Sequence, residues 1–196
     1  KVAVITGAGG DVGSATAVLM AERGAKIVAV DRRVETLDAL KGRMPAGAQW
    51  IAVAADVTQE AEVKAYVQRA KDQFGAIDIF FNNAGIEGSR TGAWALIPDL
   101  SLEDFNEIMA VNMNGVFLGL KYVIPVMVES GGGAIVNTSS INGVKGSRGQ
   151  IAYVASKHAV GSMTRVSAKE WGPKGIRVNA TAPAAIRGRM MTDYGE

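Results

Sequence analysis

The chain contains no cysteine, so neither a disulfide framework nor a thiolate metal site is open to it. Its one histidine, His158, is too few for a histidine-based metal cluster, and no metal is expected. Charge of one sign is also missing. The 21 basic and 19 acidic residues leave a net charge of +2, with no basic block of the kind that tracks nucleic acid. No uninterrupted apolar run reaches the length of a membrane span, and no leader pattern opens the chain. The expectation is a soluble cytoplasmic protein with neither nucleic acid nor membrane as a partner. Glycine is the residue in excess, at 24 of 196 against an average near ~7%. That excess points to tight turns and close backbone approaches.

Short β-branched apolar runs alternate with longer amphipathic segments. Strands are expected at 2–6, 26–31, 50–56, 77–83, 134–139 and 176–182. Helices are expected at about 14–23, 34–44, 60–74, 102–128 and 152–171, the fourth opened by a capping box of Ser101 and Asp104. Continuous apolar strands imply a sheet covered on both faces. The alternation predicts an α/β fold, a doubly wound parallel sheet of the Rossmann type with right-handed crossovers. With no repeat and no linker, residues 1–196 are expected to form one domain, trimmed at both ends.

The stretch "TGAGGDVG" (6–13) lies between the first strand and the first helix, where a dinucleotide loop belongs. Gly7, Gly10 and Gly13 permit the turn, and the helix start offers amides and partial positive charge to a pyrophosphate. Asp11 is the anomaly, an acid where an anion should dock. It is expected to tolerate unusual backbone angles, to cap the helix or face solvent, and to leave its own amide and that of Val12 for phosphate. Asp31 closes the second strand, placed to accept hydrogen bonds from the adenosine ribose and to repel a 2′-phosphate. Arg32 and Arg33 pull toward that phosphate. NAD is therefore expected over NADP.

Four further motifs resemble the short-chain dehydrogenase/reductase family along nearly the whole chain. "NNAG" (82–85), "VNMNG" (111–115), "YVASK" (153–157) and "IRVNATAPA" (176–184) match its compact, single-domain branch in the correct order. The phosphate loop alone departs, since its glycine spacing fits the extended branch of epimerases and dehydratases. The resemblance implies that Tyr153 is the general acid/base, that Ser140 hydrogen-bonds the substrate oxygen, and that Lys157 holds the nicotinamide ribose. Asn112 would hold a proton-relay water. Tyr153 and Lys157, four apart, share a helix face, and the ammonium is expected to lower the phenol's pKa.

By the same resemblance Asp56 and Val57 would contact the adenine, and Asn83, Ala84 and Gly85 would back the adenosine ribose. Asp56 by itself reads equally well as a helix cap. Pro183, Ala184 and Ile186 would lie on the nicotinamide side. Ala184 replaces the family's glycine, and Gly188 stands where a threonine is usual. Substrate-side candidates are Ser140, Asn142, Gln150 and Tyr153, with Val144, Ile151, Trp94 and Ile86 around them. Trp50, Trp94 and Trp171 are expected as core or interface anchors, and His158 is assigned no chemistry.

The implied function is NAD(H)-dependent hydride transfer between a small secondary alcohol and its ketone. The helices at 102–128 and 152–171 would build a dimer or homotetramer. Residue 196 falls before the family's substrate lid, last helix and last strand. The rival functions are an epimerase or dehydratase that retains NAD and a non-catalytic NAD-binding module.

Overall fold

The computed structural model describes residues 1–88 and 95–186. Six strands, β1 (Val2–Thr6), β2 (Lys26–Asp31), β3 (Trp50–Ala54), β4 (Ile79–Asn82), β5 (Gly133–Thr138) and β6 (Ile176–Thr181), form one parallel sheet in the order β3-β2-β1-β4-β5-β6. Between them run helices α1 (Asp11–Glu22), α2 (Val34–Lys41), α3 (Glu60–Phe74), α4 (Leu102–Met109), α5 (Gly115–Glu129) and α6 (Ile151–Trp171). This is the expected doubly wound architecture.

Successive residues of a strand enter opposite layers, because side chains alternate across a pleated sheet. Val4 and Phe80 join the core with Tyr66, Val123 and Ile135, while Ile5 and Phe81 join the other with Leu37 and Leu40. Burying both faces explains why the central strands read as unbroken apolar runs. Trp171 packs against the first core and Trp50 against the second, as anchors. A buried polar ladder crosses the first core. Asn82 Nδ2 donates to Val116 O and to Asn137 Oδ1 on the neighbouring strand, and Asn137 Nδ2 donates to Thr164 Oγ1 on α6. It ties β4 and β5 to the helix that carries Tyr153.

Three elements differ from expectation. Helix α1 begins at Asp11 rather than near Ser14, with Gly10 as its extended N-cap and no side-chain cap. Asp11 is thus the first helical residue. No residue other than glycine has positive φ among those described, so Asp11 needs no unusual backbone angle. Helix α2 stops at Lys41 because the chain turns at Gly42. The long predicted helix is continuous from 102 to 129 but carries one π-turn, Ala110–Asn114. The wider turn accommodates the buried amide of Asn112, a common device at functional sites. This 28-residue helix is long and apolar enough to cross a membrane by composition, yet 56% of its most apolar stretch is buried inside the protein. It is a core helix. At its start Ser101 Oγ accepts from the Asp104 amide, but the Asp104 carboxylate takes the Ser101 hydroxyl rather than its amide, which makes half of a capping box.

Close approach of α1 to the first loop rests on two glycines. Gly7 adopts φ 63°, and a Cβ at Gly13 would overlap the Gly7 carbonyl. Gly13→Ala should therefore destabilise the protein by about 1–3 kcal/mol and weaken dinucleotide binding with it. Urea unfolding together with a cofactor titration checks both; an unchanged midpoint would contradict the packing described.

Candidate active site

The strand order reverses direction around β1, whose neighbours are β2 and β4, so the loops that leave β1 and β4 diverge over the carboxyl edge of the sheet. Ligands of open α/β sheets bind in that crevice. Thr6 pins the two loops together, accepting from the amides of Asn83 and Ala84 at 2.9 and 3.1 Å, while Asn83 Nδ2 donates to the Thr6 carbonyl at 3.0 Å. Thr6 is a support that the motif itself flagged as its first letter.

In the phosphate loop the Gly10 amide bonds Gly7 O, and the Gly9 amide bonds Asp31 Oδ2 at 2.9 Å. The first-turn amides of Val12 and Gly13 are among those that helix geometry leaves without intrahelical acceptors. A glycine-built loop over a twelve-residue helix start fits a pyrophosphate. Asp11 is exposed beside it, where an acid complements the helix dipole. Asp31 is held by the Gly9 amide and, through Oδ1, by the Arg33 amide, at the end of β2. Arg32 and Arg33 are exposed. Asp56 serves neither as the N-cap of α3, which is Gln59, nor as an unengaged acid: its Oδ1 accepts from the amide and hydroxyl of Thr58. Val57 is buried against Gly115.

Beyond β4 the predicted tetrad comes together. Lys157 is 4% exposed, and its Nζ donates to Thr138 O, at the end of β5, at 2.9 Å. A Cβ on Gly85 would stand 3.3 Å from Lys157 Nζ and 3.2 Å from Asn112 Oδ1, so these two groups and the β4 loop meet at one point. Asn112 is fully buried. It exchanges two hydrogen bonds with the Ile86 backbone, at 2.8 and 2.7 Å, and donates to Ser156 Oγ. Ser140 heads the turn after β5, accepting from the Asn142 amide, with its side chain close enough to the Tyr153 phenol to draw its pKa down. Ser139 faces elsewhere, donating to Lys157 O, in agreement with strand alternation.

Electrostatics depart from expectation. Burial pushes the Tyr153 phenol above its ordinary value; Ser140 draws it back and the Glu87 carboxylate pushes it further up. The ammonium of Lys157 was expected to lower it. Instead Lys157 stands 5.5 Å from the ring centroid, is bonded to a carbonyl, and is itself pulled down to about 8 by burial. Each group reduces its charge in a dry site.

Among the substrate-side candidates, Asn142 and Gln150 bond each other at 2.7 Å, and Gln150 lines a cleft with Tyr153. Ile151 borders the same cleft, Ile86 is spent on Asn112, and Val144 is 77% exposed, turned to solvent. Pro183 O accepts from the Ile141 amide, whereas Ala184 and Ile186 are exposed. His158 is exposed and bonds only locally, to Val154 O. Trp94 and Gly188 lie outside the described residues. Glu87 was not singled out from the sequence, although its place directly after "NNAGI" was the available signal.

The family model for short chain dehydrogenases matches residues 1–196. The chain belongs to the short-chain dehydrogenase family. Levodione reductase from Leifsonia aquatica is 44% identical over 95% of this chain and 69% of its own length. Cyclohexanol dehydrogenase from an Acinetobacter species (strain SE19) is 38% identical over all of this chain and 77% of its own. The crystal structure of levodione reductase superposes with a TM-score of 0.93, at 44% identity, over 97% of this chain and 73% of that one. NAD+-bound xylitol dehydrogenase gives 0.89, at 38% identity, over 94% and 70%. This dehydrogenase is thus a compact-branch oxidoreductase of the alcohol–ketone type. The extended-branch alternative, raised by glycine spacing alone, is not favoured.

Burying Lys157 has a cost with a definite pH dependence. Its folded pKa lies below the unfolded value, so the unfolded chain binds more protons between about 8 and 10.5. Stability relative to Lys157→Met should rise across that window by up to about 3 kcal/mol. Denaturation of both proteins at pH 7 to 10 measures it; parallel curves would contradict the burial of a charged amine.

Proposed function

We propose that this dehydrogenase interconverts a small secondary alcohol and its ketone with NAD(H), using Tyr153 as the general acid/base. The observation that carries this is the convergence of Ser140 and Lys157 on Tyr153, at the carboxyl edge of the sheet and beside Gly85. The dinucleotide, when bound, supplies the hydride chemistry. In reduction the Tyr153 hydroxyl gives its proton to the carbonyl oxygen, and in oxidation it takes the proton back. Ser140 Oγ, beside the Tyr153 phenol, orients the same oxygen and steadies the charge that develops on it. A phenol held high by burial is a poor base alone, so the added positive charge of an oxidised nicotinamide beside Lys157 is what would bring it into range. Asn112 positions the Ile86 backbone next to Lys157 and would anchor the relay path from the lysine to solvent. Asn83, Ala84, Gly85, Pro183, Ala184 and Ile186 would complete the cofactor's walls.

The cofactor is proposed to be NAD. Asp31 is fixed by two amides at the tip of β2, where its charge meets a ribose hydroxyl favourably and a 2′-phosphate unfavourably. The NAD+-bound xylitol dehydrogenase is a related protein with this cofactor. Cytoplasmic location goes with this reading.

Tyr153→Phe should lower kcat by at least about a hundredfold while leaving NAD affinity within a few-fold. Steady-state oxidation of a secondary alcohol, paired with calorimetric NAD binding, tests this; retained turnover would refute the assignment. An oligomer is proposed from Phe117 on α5 and Val166 on α6, which are 53% and 50% exposed on the two long helices. Light scattering should find a dimer or tetramer that Phe117→Asp weakens, and a monomeric wild type would overturn it.

A further inference from the structure

The loop 141–150 joins Ser140 to the helix that carries Tyr153. Its first turn, Ile141–Gly143, is held at both ends. The Ile141 amide donates to Pro183 O at 2.9 Å, and a Cβ on Gly143 would overlap Ser139 Oγ and the Lys157 carbonyl. Between these anchors the Asn142 amide donates to Ser140 Oγ at 3.1 Å. The chain then runs exposed from Val144 to Gly146, and side chains brace it back onto the turn. Asn142 Nδ2 donates to Gln150 Oε1 at 2.7 Å, and Ser147 Oγ donates to Asn142 Oδ1 at 2.8 Å. Gln150 is buried at the N-cap of α6, three residues before Tyr153. Its Nε2 donates to Glu87 Oε1 at 3.4 Å, and since a carboxylate only accepts, the run of amides has one direction. Both polar atoms of the Asn142 side chain are thus engaged inside the loop.

We propose that Asn142 and Gln150 are positioning residues, whose side-chain bond holds the Asn142 main chain against Ser140 Oγ and so aims the Ser140 hydroxyl at the substrate oxygen. This rests on the alcohol–ketone reading above, in which Ser140 and Tyr153 serve one oxygen. A serine hydroxyl carries one hydrogen and two lone pairs. With a lone pair taken by the Asn142 amide, the hydroxyl hydrogen is turned away from that amide and toward the cleft. Hydrogen bonds weaken steeply as their angle closes, so a turn that drifts costs the donor its aim. The consequence is readable at Tyr153. Its phenol is raised by burial, drawn back by Ser140 and raised again by Glu87, while Lys157 lies 5.5 Å from its ring. A loosened Ser140 therefore moves the Tyr153 midpoint upward, with Glu87 and Lys157 left in place.

The test follows the Tyr153 proton by tyrosinate absorbance, each protein read against its own Tyr153→Phe counterpart, with NAD binding confirming that each is folded. Asn142→Ala and Gln150→Leu should each raise the midpoint by about half a pH unit. Each should also lower kcat for a secondary alcohol about tenfold with KM nearly unchanged. Ser140→Ala should raise the midpoint at least as far, and adding Asn142→Ala to it should move it no further. Midpoints that stay at the wild-type value in both single variants would overturn the proposal. So would an Asn142→Ala shift that persists in full beside Ser140→Ala, since the residue would then act by another route. Either single variant decides alone if the other does not fold. If wild type oxidised no secondary alcohol, the alcohol–ketone reading would fail, while the midpoints, which need no substrate, would still decide the role of Asn142.

Discussion

An ammonium group nearly shut off from water and bonded to the carbonyl of Thr138 is the constraint on which the working edge of this sheet depends. A buried charge is costly, and it is tolerated only where the surroundings supply fixed partners. Here they come from four directions. The end of β5 supplies the carbonyl, Gly85 gives the room, the π-turn brings Asn112 alongside, and Ser139 clamps the backbone of Lys157 itself. Gly143 lies so close to Ser139 and the Lys157 carbonyl that a side chain there would not fit. The parts surrounding Lys157 belong to elements far apart in sequence, and the asparagine ladder beneath it keeps β4, β5 and α6 in register.

This arrangement explains why Tyr153 and Lys157 run against simple charge pairing. Lysine and tyrosine in one dry site do not stabilise each other's ions when the lysine is already bonded to a carbonyl and its own proton is loosened. Tyr153 rests as the neutral phenol, and Lys157 holds its proton less tightly than an ordinary lysine. The site is an apolar socket that a cationic ring would convert into a place for a phenolate, in keeping with preorganised electrostatics as the main catalytic resource. At the other end of the crevice the same economy is seen with anions. Asp31 is fixed by amides, and Asp11 sits outside the loop at a helix start that favours negative charge.

The sheet was legible in the sequence because central strands buried on both faces read as unbroken apolar runs. Tyr153, Lys157, Ser140 and Asn112 were legible through the family resemblance that their motifs carry, and the fold does bring them to one place. What sequence could not show depends on backbone geometry. The π-turn has no composition signature, since "AVNMN" suits an α-helix equally well. Asp11 misled because glycine spacing was read as a demand on backbone angles, whereas position 11 is ordinary helix. Asp56 engages Thr58 in a local turn and leaves the N-cap of α3 to Gln59, against the cap reading of it. Asn142 and Gln150 were read as groups pointing to substrate, and they turned out to satisfy each other. Glu87 was passed over although it follows "NNAGI" directly, and only the fold sets it in one cleft with Tyr153.

The central claim is that Tyr153 is a buried acid whose proton becomes available when positive charge joins Lys157 beside it. The near-ultraviolet absorbance of tyrosinate, followed with pH as the difference between wild type and Tyr153→Phe, reports that proton directly. The account predicts a midpoint above the ordinary tyrosine value in the free protein and a clear downward shift with saturating NAD+. A midpoint that is the same with and without NAD+, or one already below the ordinary value in the free protein, would contradict it.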